Sequence, residues 1–383
     1  MLSVTKTGSQ FTFSFPHSGD GPNYNDVGPS LAMNSGGDYQ VVWTAEFGYF
    51  MAGSKSGNNF TIDNPVGRVF SAIDSQSNSE IAINGTDVVR LNASGAMVGA
   101  VVHLFDHSID SFAMDDSGNF VVVWKQTIPD PDFGQVDVIY AQCYSVDSFI
   151  SGTPMTIGTQ RRIGASANYA KAYPTVAMNS GGEFVVTWQE QNPYAGWEIW
   201  ALRQWETGIH LSGPILVSPY NPGDREMPQA AINASGDFVV TWVNVGDLYG
   251  NGWEVFAQRL NSSGQLIGSV LQVNTHTLGL QYEQAVAMDS NGDFTVTWTD
   301  ASDTLGDITD DFIRGRVFSA TNNNFVGDDF TVNTYQYSGT ESNSTVGMDD
   351  EGHILVAWMA GGNGTPTLYT DAIEGQSFVW NAT

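Results

Sequence analysis

A twelve-residue segment that ends in tryptophan occurs six times along this chain. The copies align without a gap, and they are AMNSGGDYQVVW at 32–43, AMDDSGNFVVVW at 113–124, AMNSGGEFVVTW at 177–188, AINASGDFVVTW at 231–242, AMDSNGDFTVTW at 287–298 and GMDDEGHILVAW at 347–358. Internal repetition of this kind is typical of chains that assemble from similar structural units. The repeat therefore constrains the fold more than any other feature.

Each copy has the pattern of a β-hairpin. Apolar residues lead into a polar turn of Asn, Asp, Ser and Gly, and a β-branched or aromatic strand follows. One glycine in each turn is expected to adopt a backbone angle that other residues resist. These glycines are Gly36, Gly118, Gly181 or Gly182, Gly236, Gly292 and Gly352. The closing tryptophans are expected to pack one sheet on the next, and they are Trp43, Trp124, Trp188, Trp242, Trp298 and Trp358.

A second strand–turn–strand pattern follows most tryptophans, for example at 137–159, 198–219, 254–275 and 311–334. One repeat is then four antiparallel strands, named A to D here, which is the unit of a β-propeller blade. The sequence predicts an all-β fold, a six-bladed β-propeller of four-stranded antiparallel blades. Residues 1–383 are expected to form a single propeller domain.

The two ends of the chain are predicted to close the ring. The last repeat stops after a strand C at 371–381, and residues 9–15 have the pattern of a free strand D. Pairing of the two would complete the last blade and remove two open edges. Because 81 residues separate Trp43 from Trp124, an extra hairpin around 79–104 is expected in the first blade. Seven blades with one degenerate blade are the alternative.

The charge and cysteine content exclude several classes of partner. The chain has 13 Lys and Arg against 41 Asp and Glu, a net charge of −28, whereas nucleic acid and anionic membrane surfaces need a basic face. One cysteine, Cys143, excludes an internal disulfide framework. No apolar run reaches the length that spans a bilayer. We expect no nucleic acid as partner and no membrane insertion.

The D–A and B–C loops of a propeller gather on one face, and here they are rich in aromatic residues. Exposed aromatic rings beside carboxylates and amides are suited to stacking on sugars. The alternative is that these rings pack the loops on one another. The candidate ligand-binding residues in the D–A and B–C loops are Tyr24, Tyr169, Tyr220, Tyr282, Tyr337, Trp197 and Trp253.

A polar column lies six residues before the opening residue of each copy. Because strand A is innermost, this column is predicted to ring the mouth of the channel and to grip a polar or zwitterionic ligand. The alternative is a set of solvated residues at the strand entrances. The members are Asp26, His107, Lys171, Arg225, Gln281 and Glu341.

An acidic column stands near the start of strand C. Strand C is two strands away from A at about 4.8 Å each, so these acids are too far apart to share one ion. Separate calcium sites are an open alternative, and the histidines show no zinc spacing. We predict no cofactor and leave the metal ligands unknown. The acids are Asp63, Asp137, Glu198, Glu254, Asp311 and Asp371.

The hairpin form A-M-D-x-x-G-x-F-V-V-x-W resembles repeat arrays of large bacterial cell-surface and secreted proteins. It is also similar to the Asp-box hairpin of sialidase-like propellers. The resemblance implies a propeller in a secreted or cell-surface setting. A sialidase also has three arginines that converge on a carboxylate, whereas several of the nine arginines here lie in predicted strand C.

The leading hypothesis is a non-catalytic extracellular recognition or adhesion module. It would bind a glycan or a surface protein on the face of the D–A and B–C loops. One alternative is a structural subunit or spacer of a cell-surface layer or fibre, with self-association by exchange of the N-terminal strand. Another is a glycosidase or polysaccharide lyase of sialidase-like type, with a pair such as Asp224/Glu226 or Asp303/Asp307 as acid and base.

Overall fold

The computed structural model describes residues 3–12, 29–33, 39–45, 49–54, 59–62, 69–73, 80–84, 87–91, 98–104, 109–164, 169–206, 213–218, 223–246, 252–301, 311–333, 341–360 and 372–381. Within these ranges the chain forms 29 β-strands and one four-residue helix, α1 at Ser148–Ser151. The prediction of an all-β chain is confirmed.

Thirteen strands precede residue 164. Their bounds are β1 Ser3–Thr12, β2 Ser30–Met33, β3 Tyr39–Ala45, β4 Tyr49–Ser54, β5 Asn59–Ile62, β6 Val69–Ile73, β7 Glu80–Asn84, β8 Asp87–Leu91, β9 Val102–His103, β10 Ser111–Met114, β11 Phe120–Asp130, β12 Gly134–Tyr144 and β13 Thr156–Ile163.

Sixteen strands follow in the rest of the described chain. Their bounds are β14 Lys171–Met178, β15 Glu183–Asn192, β16 Gly196–Trp205, β17 Ile215–Leu216, β18 Asp224–Ile232, β19 Phe238–Val245, β20 Trp253–Leu260, β21 Leu266–Gln272, β22 Gln281–Met288, β23 Phe294–Asp300, β24 Phe312–Ser319, β25 Asn324–Phe325, β26 Phe330–Thr331, β27 Glu341–Met348, β28 His353–Ala360 and β29 Ala372–Asn381.

Antiparallel pairing joins the described strands into seven sheets. Six sheets follow the chain order, and they are β2–β5, β6–β9, β10–β13, β14–β17, β18–β21 and β22–β25. The short strand β26 also pairs with β24, so β25 and β26 are two pieces of one outer strand. The seventh sheet has the order β1-β29-β28-β27 and combines both ends of the chain.

The described chain therefore has one sheet more than the six blades predicted, as in the seven-bladed alternative. Residues 80–103 do not form an extra hairpin of the first sheet but lie in the separate sheet β6–β9. Here β6 pairs with β7 although no tryptophan hairpin marks them. The prediction of a separate sheet depended on that hairpin, so residues 79–104 were assigned to the first blade and a separate sheet was left as the alternative.

In each of the seven sheets one end strand contacts the end strands of two other sheets, and these contacts follow a cyclic order. Strand β2 contacts β6, and the contacts continue through β10, β14, β18, β22 and β27 back to β2. These strands are called the inner strands below. Each inner strand lies at one end of its sheet, so the backbone groups of its other edge pair with no further strand of that sheet.

Strand β1 pairs with β29 along most of its length. The register runs from Ser3 opposite Asn381 to Thr12 opposite Glu374, with an irregularity between Thr7 and Phe11. The sequence placed this strand at 9–15, whereas it spans Ser3–Thr12, and residues 13–15 lie outside the described ranges. The Gln376 side chain adds a hydrogen bond from Nε2 to the Thr7 carbonyl, at 3.1 Å.

The hydrophobic core is divided into clusters between neighbouring sheets. Five of the repeat tryptophans are buried in five such clusters, and they are Trp124, Trp188, Trp242, Trp298 and Trp358. The prediction that tryptophan packs one sheet on the next is confirmed for these five, and the side chain of Trp43 lies outside the description. An aromatic side chain buries roughly 150–250 Å², so each contributes about 4–6 kcal/mol of transfer free energy.

The turn of each described repeat hairpin is closed by one Asp or Asn side chain. Its Oδ1 accepts hydrogen bonds from the amides two and four residues later, as Asp289 does from Asn291 and Asp293, both at 2.9 Å. The equivalent residues are Asp115, Asn179, Asn233 and Asp349. In the turn where two glycines were possible, Gly182 takes the left-handed conformation with φ 85°.

Candidate functional site

Six of the seven inner strands, all except β6, end around one cavity of about 270 Å³. The residues at strand ends are Met33, Met114, Met178, Ile232, Met288 and Met348, and they are preceded by Ala32, Ala113, Ala177, Ala231, Ala287 and Gly347. The starts of the inner strands therefore lie at the opposite end, where sequence analysis placed the ligand.

Four residues of the polar column are described, and all four are buried. The exposed fractions are 2% for Lys171, 1% for Arg225, 0% for Gln281 and 2% for Glu341. The alternative of solvated residues at the strand entrances is therefore wrong for these four, whereas a position around the channel mouth stays a prediction. The other two, Asp26 and His107, lie outside the described residues. Contact with a ligand stays a prediction for the whole column.

The described column residues bond to the protein itself. The Lys171 Nζ donates to the Tyr169 carbonyl at 2.9 Å and lies 3.8 Å from the Glu190 carboxylate. Burial lowers the pKa of Lys171, and Glu190 partly offsets this. The Gln281 Nε2 donates to the Leu278 carbonyl at 2.8 Å and to Asp300 at 3.2 Å. Such partners satisfy polar groups that burial would otherwise penalise.

Arg225 binds the backbone of the neighbouring sheet. Its Nη1 donates to the carbonyls of Ala195 at 3.1 Å, Trp197 at 3.2 Å and Gly223 at 3.0 Å. Ala195 and Trp197 belong to the hairpin between β15 and β16, whereas Arg225 belongs to β18. The column position therefore joins one sheet to the preceding one.

Four consecutive inner strands carry the same irregularity near their start. In β14, β18, β22 and β27 one extra residue interrupts the pairing with the second strand of the sheet. A non-glycine residue at each bulge adopts a left-handed conformation with φ of 49° to 55°, and these residues are Tyr173, Met227, Glu283 and Asn343. Such angles are costly for most side chains and occur preferentially at functional sites.

The bulges are held by polar side chains of adjacent sheets. The Met227 amide donates to Gln189 Oε1 at 2.9 Å, and the Asn343 amide donates to Glu283 Oε2 at 2.9 Å. The same Glu283 oxygen accepts a hydrogen bond from Thr299 Oγ1 at 3.1 Å. Gln284 Nε2 donates to the Met227 carbonyl. The bulges are therefore built features of the sheet boundaries.

Aromatic residues occur at these bulges and in the hairpins that follow the second strands of the sheets. Tyr194 is 92% exposed and Tyr173 is 48% exposed. Trp197 and Trp253 are half-buried at equivalent positions of the β15–β16 and β19–β20 hairpins. Trp253 meets Tyr282 edge to face, with ring centroids 6.0 Å apart. The structure thus brings Trp253 and Tyr282 of the predicted set together.

Of the other four predicted tyrosines, one lies within the described residues. Tyr169 is half-buried just before β14, and its carbonyl holds Lys171. Tyr24, Tyr220 and Tyr337 lie outside the described residues. Burial, with the nearby charges of Asp311 and Glu283, raises the pKa of Tyr282 to about 12, so its hydroxyl remains a hydrogen-bond donor at neutral pH.

Two carboxylates stand at alternate positions of β18. Burial and the charge of Asp224 raise the pKa of Glu226 above its ordinary value. Asp224 Oδ1 accepts the Trp197 amide at 2.9 Å, whereas Glu226 has no hydrogen-bond partner within the described ranges. We call Tyr173, Glu226, Met227, Tyr282, Glu283 and Asn343, together with the hairpin residues Trp197 and Trp253, the axial rim. Sequence analysis missed the bulges because a left-handed Tyr, Met or Glu has no signature in the sequence.

The acidic column does not form one ring. In the sheet register Glu198 and Glu254 stand two residues before the partner of the repeat tryptophan, whereas Asp137 stands three before it. Asp137 accepts Thr127 Oγ1 at 2.7 Å, and Glu198 accepts Asn192 Nδ2 at 3.2 Å. Asp63 and Asp371 lie outside the description. Among the residues described, no group of three or more His, Cys, Asp or Glu side chains could hold a metal ion.

The cysteine and the helices of the described residues bear on two other kinds of site, a reactive thiol and a membrane span. Cys143 is buried, and burial raises the pKa of its thiol to about 12, so it is a poor nucleophile. No helix in the described part of the chain has the length and hydropathy needed to cross a membrane.

Comparisons with known proteins identify similar structures but no family. No family model matches the chain, and no curated protein matches it. A Dyadobacter fermentans protein of unknown function is similar at a TM-score of 0.55 and 11% identity, over 99% of both chains. An α-L-arabinanase of Penicillium chrysogenum in complex with arabinobiose has a TM-score of 0.48 and 12% identity, over 97% of this chain and 98% of that one.

A polysaccharide lyase has a TM-score of 0.48 and 8% identity, over 90% of this chain and 88% of that one. The similarities to the arabinanase and to the lyase are too distant to indicate an activity or a substrate. The likeness to the Dyadobacter protein concerns the fold alone. The chain is thus an all-β protein of four-stranded antiparallel sheets, with an architecture that recurs in a solved structure of nearly equal extent.

Proposed function

We propose that the chain is a closed seven-bladed β-propeller that acts as a secreted or cell-surface recognition module for glycans. The cyclic contacts of the inner strands and the pairing of β1 with β29 support the closed ring. A closed ring leaves few exposed strand edges and holds the loops of adjacent sheets at fixed distances. Such a frame suits a binding site built from several loops.

One observation carries the binding function: aromatic rings and carboxylates meet at the axial rim. Trp197 and Trp253 occupy equivalent hairpin positions in adjacent sheets, and Glu226 and Tyr282 occupy equivalent positions of the inner strands. Aromatic faces pack against the apolar face of a sugar ring, and carboxylates accept hydrogen bonds from its hydroxyls. The rim contains both kinds of group.

The charges of the rim favour a neutral glycan over an anionic one. Glu226 and Glu283 of the rim and the neighbouring Asp224 are acidic, and the whole chain has a net charge of −28. The nearby cations, Lys171 and Arg225, are buried and donate to backbone carbonyls. A sialic or uronic acid would therefore approach a field that is negative overall, in which Arg162 beside Lys171 is an exposed cation among the described residues.

Calorimetric titration with oligosaccharides tests this proposal. The neutral probes are cellotetraose, xylotetraose, mannotetraose and tetra-N-acetylchitotetraose, and the anionic probes are sialyllactose and trigalacturonic acid. We expect at least one neutral probe to bind and the anionic probes to bind more weakly. Trp197→Ala should weaken the best binder roughly tenfold or more, because a stacking ring at a binding site contributes about 1–3 kcal/mol.

The control is Ile150→Ala, since Ile150 is exposed in α1, outside the rim, and its loss should leave binding unchanged. Absence of binding for all four neutral probes would contradict a glycan function. Binding that survives in Trp197→Ala would instead place the site elsewhere on the ring.

A glycoside hydrolase is the second candidate, and Glu226 favours it. A carboxyl group whose pKa is raised by burial and by a neighbouring acid is the type of group that protonates a leaving oxygen. Release of reducing sugar from the same neutral probes would support hydrolysis, and Glu226→Gln should then abolish turnover while retaining binding. Without turnover on any neutral probe this candidate fails and simple binding remains. Strand exchange within a surface layer stays a prediction, and it is tested below by a cross-link.

A further inference from the structure

The hairpin that bears Trp197 has a tip with its own internal hydrogen bonds. Asn192 Oδ1 accepts the Tyr194 amide at 2.9 Å, and Gly196 adopts a left-handed conformation with φ 75°. The exposed Tyr194 stands at this tip, and Trp197 lies three residues later. These bonds define the shape of the tip, but they leave its position above the sheets to other contacts.

Residues at the start of β18 hold this hairpin from the neighbouring sheet. Asp224 Oδ1 accepts the Trp197 amide at 2.9 Å. Arg225 donates to the Trp197 carbonyl at 3.2 Å and to the Ala195 carbonyl at 3.1 Å. Hydrogen bonds with a charged partner are shorter and stronger than neutral ones. The backbone of Trp197 is therefore held through both its N–H and its C=O.

The close approach of Asp224 depends on a glycine. A Cβ atom at residue 196 would collide with Asp224 Oδ1, so only the absence of a side chain lets the carboxylate reach the hairpin. In the next sheet the equivalent of Asp224 is Leu280, which forms a backbone bridge with Trp253. The carboxylate contact thus distinguishes the Trp197 hairpin from its described equivalent.

Asp224 also lies beside the rim carboxylate. Asp224 and Glu226 are alternate residues of β18, and their charges interact. Asp224 is therefore the common neighbour of the backbone of Trp197, whose ring would stack on a sugar, and of the Glu226 carboxylate, which would accept its hydroxyls. A loop fixed before binding does not have to be ordered by the ligand, which strengthens affinity.

We propose that Asp224 is a positioning residue that fixes Trp197 beside Glu226, so that the free protein already presents a formed sugar-binding surface. This inference rests on the glycan-binding function proposed above. Asp224 itself need not touch the ligand. Its contribution is the hydrogen bond to the Trp197 amide.

The test compares three variants by calorimetric titration with whichever of the four neutral tetrasaccharides binds the wild type most tightly. Asp224→Ala removes the acceptor, and we expect affinity to fall roughly tenfold, about 1.4 kcal/mol, while the melting temperature stays close to that of the wild type. Asp224→Asn keeps an oxygen acceptor and should restore most of the affinity. Asp130→Ala is the matched control, because Asp130 caps the tip of the β11–β12 hairpin through the amides of Asp132 and Phe133. It should bind as the wild type does.

A second readout does not involve a ligand. In protein labelled with 5-fluorotryptophan, the ¹⁹F signal assigned through Trp197→Phe should be a single line in the wild type and in Asp224→Asn. It should broaden or split in Asp224→Ala. Wild-type affinity and a single Trp197 line in Asp224→Ala would overturn the positioning role. Failure of the proposed function is distinct, since the wild type would then bind no probe.

Discussion

Asp289 stabilises its turn through hydrogen bonds, but its buried charge also destabilises the folded protein. Its Oδ1 accepts two backbone amides, yet the carboxyl group is only 5% exposed and faces Asp293. Burial, and then the charge of Asp293, raise the pKa of Asp289 from 3.8 to about 6. Asn179 and Asn233 make the same two hydrogen bonds in equivalent turns without a charge.

The substitution Asp289→Asn should therefore stabilise the protein at neutral pH. An acid whose pKa is higher in the folded state adds stability below its unfolded pKa, and this stability is lost as pH rises through about 6. At pH 7.5 Asp289 of the wild type is ionised, and its buried charge lowers the free energy of unfolding. The variant should therefore gain about 1–3 kcal/mol in that free energy. Urea unfolding at pH 7.5 and pH 5 measures this, and the gain should shrink at the lower pH.

Asp349→Asn is the matched control for that substitution. Asp349 caps an equivalent turn, but its Oδ2 lies 2.7 Å from His353 Nδ1, an attractive contact. The same change should bring no gain there. An equal gain at both sites would show that burial alone, and not the Asp293 charge, governs the effect.

At the scale of the strand, the bulge is the characteristic feature of β14, β18, β22 and β27. It inserts one residue into four successive inner strands, and a left-handed residue at each turns the chain toward the rim. Because Met227 and Asn343 receive their amide partners from adjacent sheets, the strain is balanced by contacts between sheets. Strands of regular pleat would not place the same residues at the rim.

The cost of this conformation can be measured at Tyr173, whose side chain is half-exposed. A β-branched residue tolerates a positive φ poorly, so Tyr173→Ile should destabilise the protein by about 1–3 kcal/mol. Tyr173→Asn should be close to neutral, since Asn343 occupies the equivalent position naturally. Thermal unfolding compares the two. Tyr194→Ile, at an exposed position whose φ is not positive, is the control, and an equal loss there would contradict the role of the bulge.

Both ends of the chain meet in one sheet of the whole molecule. Strand β1 is joined to β29 by antiparallel pairing, which places Thr7 opposite Ser377. The connection is not covalent, so an identical strand from a second copy could compete for the same edge. The single-chain structure has β1 on its own β29.

A disulfide between Thr7→Cys and Ser377→Cys tests which pairing occurs in solution. Pairing within one chain predicts a monomer on a non-reducing gel, with a gain of about 2–5 kcal/mol from closing a very long loop that is lost on reduction. Exchange between chains predicts cross-linked multimers. The control is Ser9→Cys with Ser377→Cys, since Ser9 lies in the irregular part of the register and should cross-link poorly. Cys143 is buried and should not interfere.

Local features of this protein were predictable because they are encoded by neighbouring residues. The alternation of apolar and polar residues, the polar turns and the repeat tryptophans predicted hairpins and sheet-to-sheet packing, and five tryptophans lie as expected. A separate sheet at β6–β9 was only the alternative prediction, because its pairing lacks the hairpin motif. Its segment at 69–73 is similar in sequence to β24 but serves as an inner strand.

The candidate site depended much more on tertiary structure. Sequence alone determined which polar and aromatic residues stand near the start of the inner strands that carry the repeat, since that follows from their distance to the repeat. Only the packed sheets decided that Lys171 and Arg225 are buried, that Tyr173 and Met227 are left-handed, and that Asp224 reaches Trp197. The physical reason is that burial, bulges and hairpin contacts arise where residues far apart in the chain meet across a boundary between sheets, and no local pattern encodes that meeting.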